Sequence, residues 1–128
     1  MKTQELRKIL IEEKHLKEWV VPDGTWNRNE DGSIDVDGNV IIQFGFTKLP
    51  IKFGTVTKSF ICSGVGLKTL EGCPKEVGLN FDCRFNDLTS LDGIPRKVNN
   101  FVSYGNPGKF LAKDIRKICN VTGKVMRW

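Results

Sequence analysis

Few side chains in this sequence are of the types that catalyse reactions or hold metals. The 128 residues include one histidine, His15, and four cysteines, none of them in a Cys-x-x-Cys pair. An activated nucleophile needs a neighbouring base, and a lone histidine inside a predicted helix is better explained by packing or surface exposure. A zinc site needs closely spaced Cys and His ligands, which this spacing does not provide. We therefore expect a protein that is not an enzyme and that holds no metal or cofactor.

One polar segment resembles the first half of a calcium-binding loop. Asn27, Asn29 and Asp31 are spaced like the first ligands of an EF-hand loop, and a glycine follows Asp31. The twelfth position, which requires a bidentate glutamate, is Gly38, and no second helix follows. The segment is therefore interpreted as part of a β-hairpin. The scattered carboxylates of this region do not form the pattern of a hydrolase active site. An enzyme with a site on the hairpin or on the insertion at 52–57 is kept as a third, weaker hypothesis of function.

The strongest signal in the sequence is a pattern that recurs from Phe60 to Phe81 and begins again at Phe101. Each copy opens with an aromatic residue and a small residue two positions later. The first two copies then continue with leucine, leucine, glycine, proline and valine at identical offsets. These residues are Leu67, Leu70, Gly72, Pro74 and Val77 in the first copy, and Leu88, Leu91, Gly93, Pro95 and Val98 in the second. A fixed period near 20 residues is typical of a solenoid, in which each repeat stacks on the last.

The repeat also predicts which side chains face the core. Phe81 and Cys83 lie two residues apart on one short strand, so both point inward. Cys62 holds the same repeat position as Cys83, and both are expected to be small core residues rather than a disulfide or metal pair. Asn86 and Asn106 are expected to bond free backbone groups at a corner of the solenoid. The first copy departs from this pattern, because Val65 stands at the asparagine position.

The segment Leu88-Thr89-Ser90-Leu91-Asp92-Gly93-Ile94-Pro95 resembles one step of the short bacterial type of leucine-rich repeat. It is also similar to the small leucine-rich-repeat proteins that tailed bacteriophages often encode. The resemblance covers about residues 40–106. It implies a binding scaffold, and it implies that the partner is a host or phage protein.

The flanking regions complete an α+β architecture in a single domain, 1–128. Residues 1–22 are predicted as an N-terminal capping helix, in which Leu6, Ile9, Leu10, Leu16 and Val20 form an apolar stripe. Residues 25–45 are predicted as a hairpin that turns at Gly38-Asn39. Residues 46–106 are predicted to form the leucine-rich repeats that the resemblance implies. Residues 107–128 are predicted as a C-terminal cap, with a capping helix over 107–120 and a short strand over 125–128.

The candidate binding surface is the face of the stacked strands that points away from the core. The resemblance to leucine-rich repeats implies that partners bind there, and Tyr and Arg are frequent hot spots of binding energy. The alternative is that a flanking helix or hairpin covers the apolar members of this face. The candidate protein-binding residues are Ile61, Ser63, Asp82, Arg84, Phe85, Val102 and Tyr104.

A second surface is basic and suggests a different function. The chain has a net charge of +5 and a pI of about 9.1, which is compatible with nucleic acid, an acidic protein or simple solubility. Nucleic-acid or ribonucleoprotein binding through the last helix is therefore the alternative function, and a solvated helix face is the other interpretation. The candidate nucleic-acid-binding residues are Lys109, Lys113, Arg116, Lys117, Lys124 and Arg127.

Composition places the chain among globular proteins, with 27% charged and 39% hydrophobic residues. No apolar run reaches the roughly 18 residues of a membrane span, and the charged N-terminus has no signal-peptide core. We expect no membrane association and a cytoplasmic location, in the host cytoplasm if the protein is phage-encoded. The preferred hypothesis is a non-enzymatic protein-binding module that targets a host protein. A component of antiviral defence is one candidate for that target. A monomer and a homodimer both remain open.

Overall fold

The computed structural model describes residues 3–21, 24–43 and 45–126. They form a small α+β protein with two helices and a β-solenoid of about four turns. The elements are α1 (Thr3–Trp19), β1 (Thr25–Arg28), β2 (Ile34–Asp37), β3 (Val40–Ile41), β4 (Phe53–Val56), β5 (Phe60–Ile61), β6 (Glu76–Asp82), β7 (Lys97–Val102), α2 (Ala112–Ile118), β8 (Asn120–Val121) and β9 (Val125–Met126).

Two parallel ladders run side by side through the sheet. The first joins β2, β4, the first half of β6, the first half of β7 and then β8. The second joins β3, β5, the second halves of β6 and β7, and then β9. A register shift in β6 and β7 marks the bend between the two ladders. Each solenoid turn therefore contributes two short strands and a return segment.

The inward side chains form columns that follow the repeat. Phe60, Phe81 and Phe101 are fully buried, with ring centroids 6.0 Å and 5.2 Å apart along the column. This confirms the predicted aromatic stack. The ladder register extends the column by one strand on each side, to Val40 and to Val125. The solenoid is thus longer than the predicted array of 46–106, because valine fills the aromatic position in the outer strands.

The hairpin lies elsewhere than the sequence predicts. β1 pairs with β2 in antiparallel register, so the turn lies between Arg28 and Ile34, in the segment with calcium-like spacing. The Gly38-Asn39 pair instead forms the bend between β2 and β3, and β3 pairs in parallel with β5. The Asn39 side chain accepts a hydrogen bond from the backbone N–H of Ser59 (2.9 Å), which ties this bend to the next solenoid turn. Phe44, at the end of the predicted hairpin, lies outside the described residues.

α1 is attached to the solenoid by its C-terminal half. Leu16 and Trp19 are buried, whereas Leu6 and Leu10 are 48% and 55% exposed. The predicted apolar stripe is therefore only partly covered. Glu12, which lies outside that stripe, is buried and forms an ion pair with the guanidinium of Arg28 at 2.7 Å.

His15 has a packing role. Its ring stacks on Trp19 with centroids 4.8 Å apart, and it meets the edge of Phe46 at 5.7 Å. Packing is one of the two roles, packing or surface exposure, that the sequence favours for the single histidine.

α2 is shorter than predicted and does not end the sheet. It lies on the return segment between β7 and β8, where Ile115 and Cys119 are buried while Leu111 and Ile118 are 43% and 55% exposed. β8 and β9 follow it and are the last strands of the two ladders. The predicted terminal strand is found as Val125–Met126, and the last two residues lie outside the described part. Neither helix of the described residues has the length and apolar character that a membrane crossing requires.

Candidate binding surface

The outward residues of the second ladder are in register but are not equally accessible. Ile61, Asp82, Val102 and Met126 occupy one row across the strands. Asp82 and Val102, both predicted as accessible binding residues, are only 6% and 8% exposed. Val102 is flanked in the row by Asp82 and Met126, and the guanidinium of Arg84 packs on Asp82. These two residues therefore support the surface from below rather than form it.

Arg84 is held in place by its neighbours. Its Nε donates to Oδ2 of Asp82 at 3.0 Å, and its backbone N–H donates to Oδ1 of the same carboxylate at 3.2 Å. One of its Nη atoms donates to the hydroxyl of Tyr104 in the next solenoid turn. Burial raises the pKa of Asp82, and the contacts with Arg84 partly offset that rise. The hydrogen bond to Tyr104 and the charge of Asp82 raise the pKa of Arg84, so the guanidinium stays charged.

Phe85 is held in a backbone conformation that usually belongs to glycine. Its φ is +56°, and the same repeat position is Gly64 (φ +68°) in the preceding turn and Gly105 (φ +78°) in the following turn. The left-handed region costs a residue with a side chain about 1 kcal/mol. The ring is 58% exposed and meets the ring of Tyr104 edge-on, with centroids 5.3 Å apart. A strained backbone that displays an exposed aromatic ring points to a functional site.

We call Arg84, Phe85 and Tyr104 the aromatic patch. All three were predicted as binding residues, and the structure brings them together at one corner of the solenoid. Ser63 occupies the equivalent position to Arg84 one turn earlier and is half-buried, as is Ile61. The sequence analysis missed that Phe85 stands at a repeat position where the other two copies have glycine. An alignment of the three copies shows this difference.

A buried asparagine supports the corner beneath the patch. Oδ1 of Asn86 accepts hydrogen bonds from the backbone N–H groups of Val65, Gly66 and Leu67 at 3.0–3.1 Å. Its Nδ2 donates to the carbonyl groups of Cys62 (2.8 Å) and Cys83 (3.0 Å). Asn106 repeats part of this arrangement one turn later. It accepts from the backbone N–H of Leu88 (3.1 Å) and donates to the carbonyls of Cys83 and Ser103 (3.0 Å each).

The predicted basic surface is divided between different roles. The guanidinium of Arg116 donates to the carbonyls of Val121 (2.8 Å) and Gly123 (3.0 Å), so it joins α2 to the β8–β9 connection. Lys117 is exposed and lies 3.9 Å from Asp114. The other described members differ in their surroundings: Lys109 takes φ +46°, Lys113 is exposed, and the backbone N–H of Lys124 donates to Oδ1 of Asn100. Arg127 lies outside the described residues.

The other groups of chemical interest are structural. All four cysteines are free and buried. A hydrogen bond with Cys73 and burial raise the pKa of the Cys62 thiol, and burial raises the pKa of Cys119 to about 11, so these thiols stay protonated at neutral pH. Asp31 accepts hydrogen bonds from the hydroxyl (2.6 Å) and the N–H (2.9 Å) of Ser33, which hold its pKa at about 2. In the described ranges no His, Cys, Asp and Glu side chains cluster as a metal site.

The aromatic patch combines a cation held by Asp82 and Tyr104 with two aromatic rings at one corner of the solenoid. Tyr and Arg carry much of the energy at protein interfaces, and an aromatic ring provides a large apolar contact area. No family model matches this sequence, and no curated protein or solved structure is significantly similar to it.

Proposed function

We propose that this protein is a non-enzymatic module that binds a partner protein through the aromatic patch. The observation that carries this proposal is the conformation of Phe85. Its ring is 58% exposed at a position where the adjacent turns have glycine, and glycine would relieve the backbone strain. Phe85 strains the backbone but buries little of its ring against its own chain. Burial of that ring against a partner would explain why phenylalanine stands at this position.

We further propose that the scaffold is a short leucine-rich-repeat solenoid with a capping helix. Leu67, Leu70 and Leu88 are fully buried, and Asn86 satisfies backbone groups at the solenoid corner, as that type of repeat requires. The end of α1 supports the capping role, because Trp19 is buried and Val20 forms an antiparallel bridge with β3. Covering the first turn in this way protects an otherwise open sheet edge.

The resemblance to small phage-encoded repeat proteins supports a host protein as the partner. A component of antiviral defence is one candidate of that class, acting in the host cytoplasm. This part of the proposal rests on the resemblance carried by the Leu88–Pro95 step and on no contact in the structure.

The test is affinity purification of bacterial proteins on immobilised wild-type protein and on two variants. Phe85→Gly removes the ring at a position where glycine is unstrained, and Leu79→Ala removes a 46% exposed leucine outside the patch. We expect a protein that Leu79→Ala retains and that Phe85→Gly loses, and that binds again when both components are purified. Equal recovery on all three proteins contradicts the proposal.

The same purification tests the alternative of nucleic-acid binding. Nucleic acid would be released steeply as salt increases, and Lys113→Glu with Lys117→Glu would abolish its capture. Arg116 is already used by two carbonyl groups of its own chain, which reduces the number of basic groups available for phosphates. Co-purified nucleic acid that Phe85→Gly leaves unchanged would favour the alternative over the protein-binding module.

A further inference from the structure

The aromatic patch presents two hydrogen-bond donors that its own chain does not use. Nε of Arg84 donates to Asp82, and Nη1 donates to Tyr104. No hydrogen bond within the described ranges involves Nη2 of Arg84. The hydroxyl of Tyr104 accepts the bond from Arg84, which leaves the hydrogen of that hydroxyl available for donation. Both donors belong to the same hydrogen-bonded pair of side chains.

These donors are fixed before any ligand arrives. An arginine side chain loses about 2 kcal/mol of rotamer entropy when it is ordered, and Asp82 and Tyr104 have already ordered this one. Arg84 and Tyr104 also lie on adjacent turns whose backbones are joined by the bond from the N–H of Phe85 to the carbonyl of Tyr104 (3.0 Å). Pre-ordered donors bind an acceptor with less loss of entropy than mobile ones do.

We infer that the aromatic patch recognises a carboxylate of the partner, from an aspartate or glutamate that has an apolar side chain beside it. This inference rests on the proposed protein-binding function and names the chemistry of the partner. Arg84 Nη2 and the Tyr104 hydroxyl donate to the two carboxylate oxygens. The exposed ring of Phe85 covers the neighbouring apolar side chain.

Charge favours a carboxylate over a phosphate at this position. Arg84 is the one cation among the three members of the patch, and the Asp82 carboxylate that contacts its Nε offsets part of its charge. The remaining positive charge of Arg84 matches a singly charged carboxylate. A phosphate group would be bound more strongly by several cations that have no acidic partner. Asp82 contacts Nε, and the side chain of Arg84 is 38% exposed, so the guanidinium can still meet an incoming group.

The test is a titration followed by the amide spectrum of the labelled full chain, with two blocked tripeptides as probes. We expect acetyl-Leu-Glu-Phe-amide to shift the amide signals of Phe85 and Gly105, and the isosteric Leu-Gln-Phe peptide to bind about tenfold more weakly. Tyr104→Phe and Arg84→Lys each should reduce the affinity for the Glu peptide to that for the Gln peptide. Arg96→Lys, which changes an exposed arginine outside the patch, should leave both affinities unchanged.

Three results would overturn the inference: equal affinity for the two peptides, no binding of either up to about 10 mM, or tighter binding of inorganic phosphate. The failure of this inference differs from the failure of the proposed function. If a captured partner protein is lost with Phe85→Gly but retained with Tyr104→Phe and Arg84→Lys, the patch is the binding site and the carboxylate assignment is wrong. If Phe85→Gly retains the partner, both are wrong.

Discussion

The ring of Phe85 lies directly over Gly105, so that a Cβ atom added at Gly105 would collide with that ring. Gly105 is therefore constrained twice. Its φ of +78° belongs to the left-handed region, and its missing side chain makes room for the aromatic ring of the preceding turn. The glycine that the repeat keeps at position 105 thus makes room for the aromatic residue at the equivalent position of the preceding turn.

This relationship predicts a measurable coupling between the two positions. Gly105→Ala should cost about 2–3 kcal/mol of unfolding free energy in the wild type, because it adds both backbone strain and a collision. In a Phe85→Gly background only the strain remains, and the cost should fall to about 1 kcal/mol. Urea unfolding of the four proteins of the cycle measures the difference. Equal costs in both backgrounds would show that the ring does not occupy this space in solution.

At position 85 a glycine variant should be more stable than an alanine variant, which reverses the usual order of stability. Phe85→Gly relieves about 1 kcal/mol of backbone strain and loses a ring contact of similar size. Its stability should therefore lie within about 1 kcal/mol of wild type. Phe85→Ala loses the ring and keeps the strain, so it should be the less stable of the two variants. Thermal unfolding compares them, and a more stable alanine variant would refute the assignment of strain to this residue.

Asn86 should be the most sensitive polar position of the solenoid. Asn86→Ala leaves three backbone N–H groups and the carbonyl of Cys62 without partners in a buried corner, which should cost about 3 kcal/mol or more. Asn106→Ala frees the N–H of Leu88 and the carbonyl of Ser103, whereas the carbonyl of Cys83 keeps its bond from Asn86, so this variant should cost less. Asn80→Ala, an exposed asparagine bonded to Asn100, is the matched control and should be close to neutral. Similar losses for Asn86 and Asn80 in guanidinium unfolding would contradict this ranking.

The pH dependence of stability should include a contribution from Asp31. Hydrogen bonds from Ser33 lower its pKa from 3.8 to about 2 in the folded protein. The ionised form is therefore favoured by folding, and its contribution is present above about pH 4 and is lost as the pH falls towards 2. Asp31→Asn should reduce stability at pH 7 and flatten the decline between pH 4 and 2. Unfolding followed at several pH values measures both effects, with Glu30→Gln as the control in the same turn, and an unchanged slope would argue against the assignment.

Two basic residues of the C-terminal region should behave differently. Arg116→Ala removes two hydrogen bonds to backbone carbonyls at the end of α2 and should cost about 1–2 kcal/mol, since the site is partly exposed. Lys113→Ala changes an exposed side chain and should leave stability within about 0.5 kcal/mol. The melting temperatures of the two variants compare these roles. Equal effects would mean that Arg116 does not hold the β8–β9 connection.

The repeat predicted the core well, because each inward position is set by its equivalents in neighbouring turns. Phe60, Phe81 and Phe101 are stacked as expected, and Asn86 makes the predicted backbone bonds. Val40 and Val125 were missed as members of the same column, since a valine at an aromatic position weakens the pattern. The start and end of the array were therefore placed too far inward.

The remaining errors arise where a local pattern has two solutions. Gly38-Asn39 is typical of a hairpin turn, but an added Cβ at Gly38 would lie 2.9 Å from the backbone of Gly24, so the glycine serves a close backbone approach at a solenoid bend. Alternation along the strand correctly placed Asp82 on the outer face. It could not reveal that Arg84 covers it, because burial by a side chain two residues away depends on a rotamer.

The similar spacing of the turns has a consequence for how the chain folds. Backbone hydrogen bonds between neighbouring turns join residues about 18 to 24 positions apart throughout the solenoid. The entropy of loop closure is therefore nearly the same for each turn and does not grow with the length of the array. Only the first pair of turns must form without a template, and each later turn adds to a surface that already exists. An additional unit inserted after Asn106 should accordingly slow unfolding while leaving the rate of folding almost unchanged.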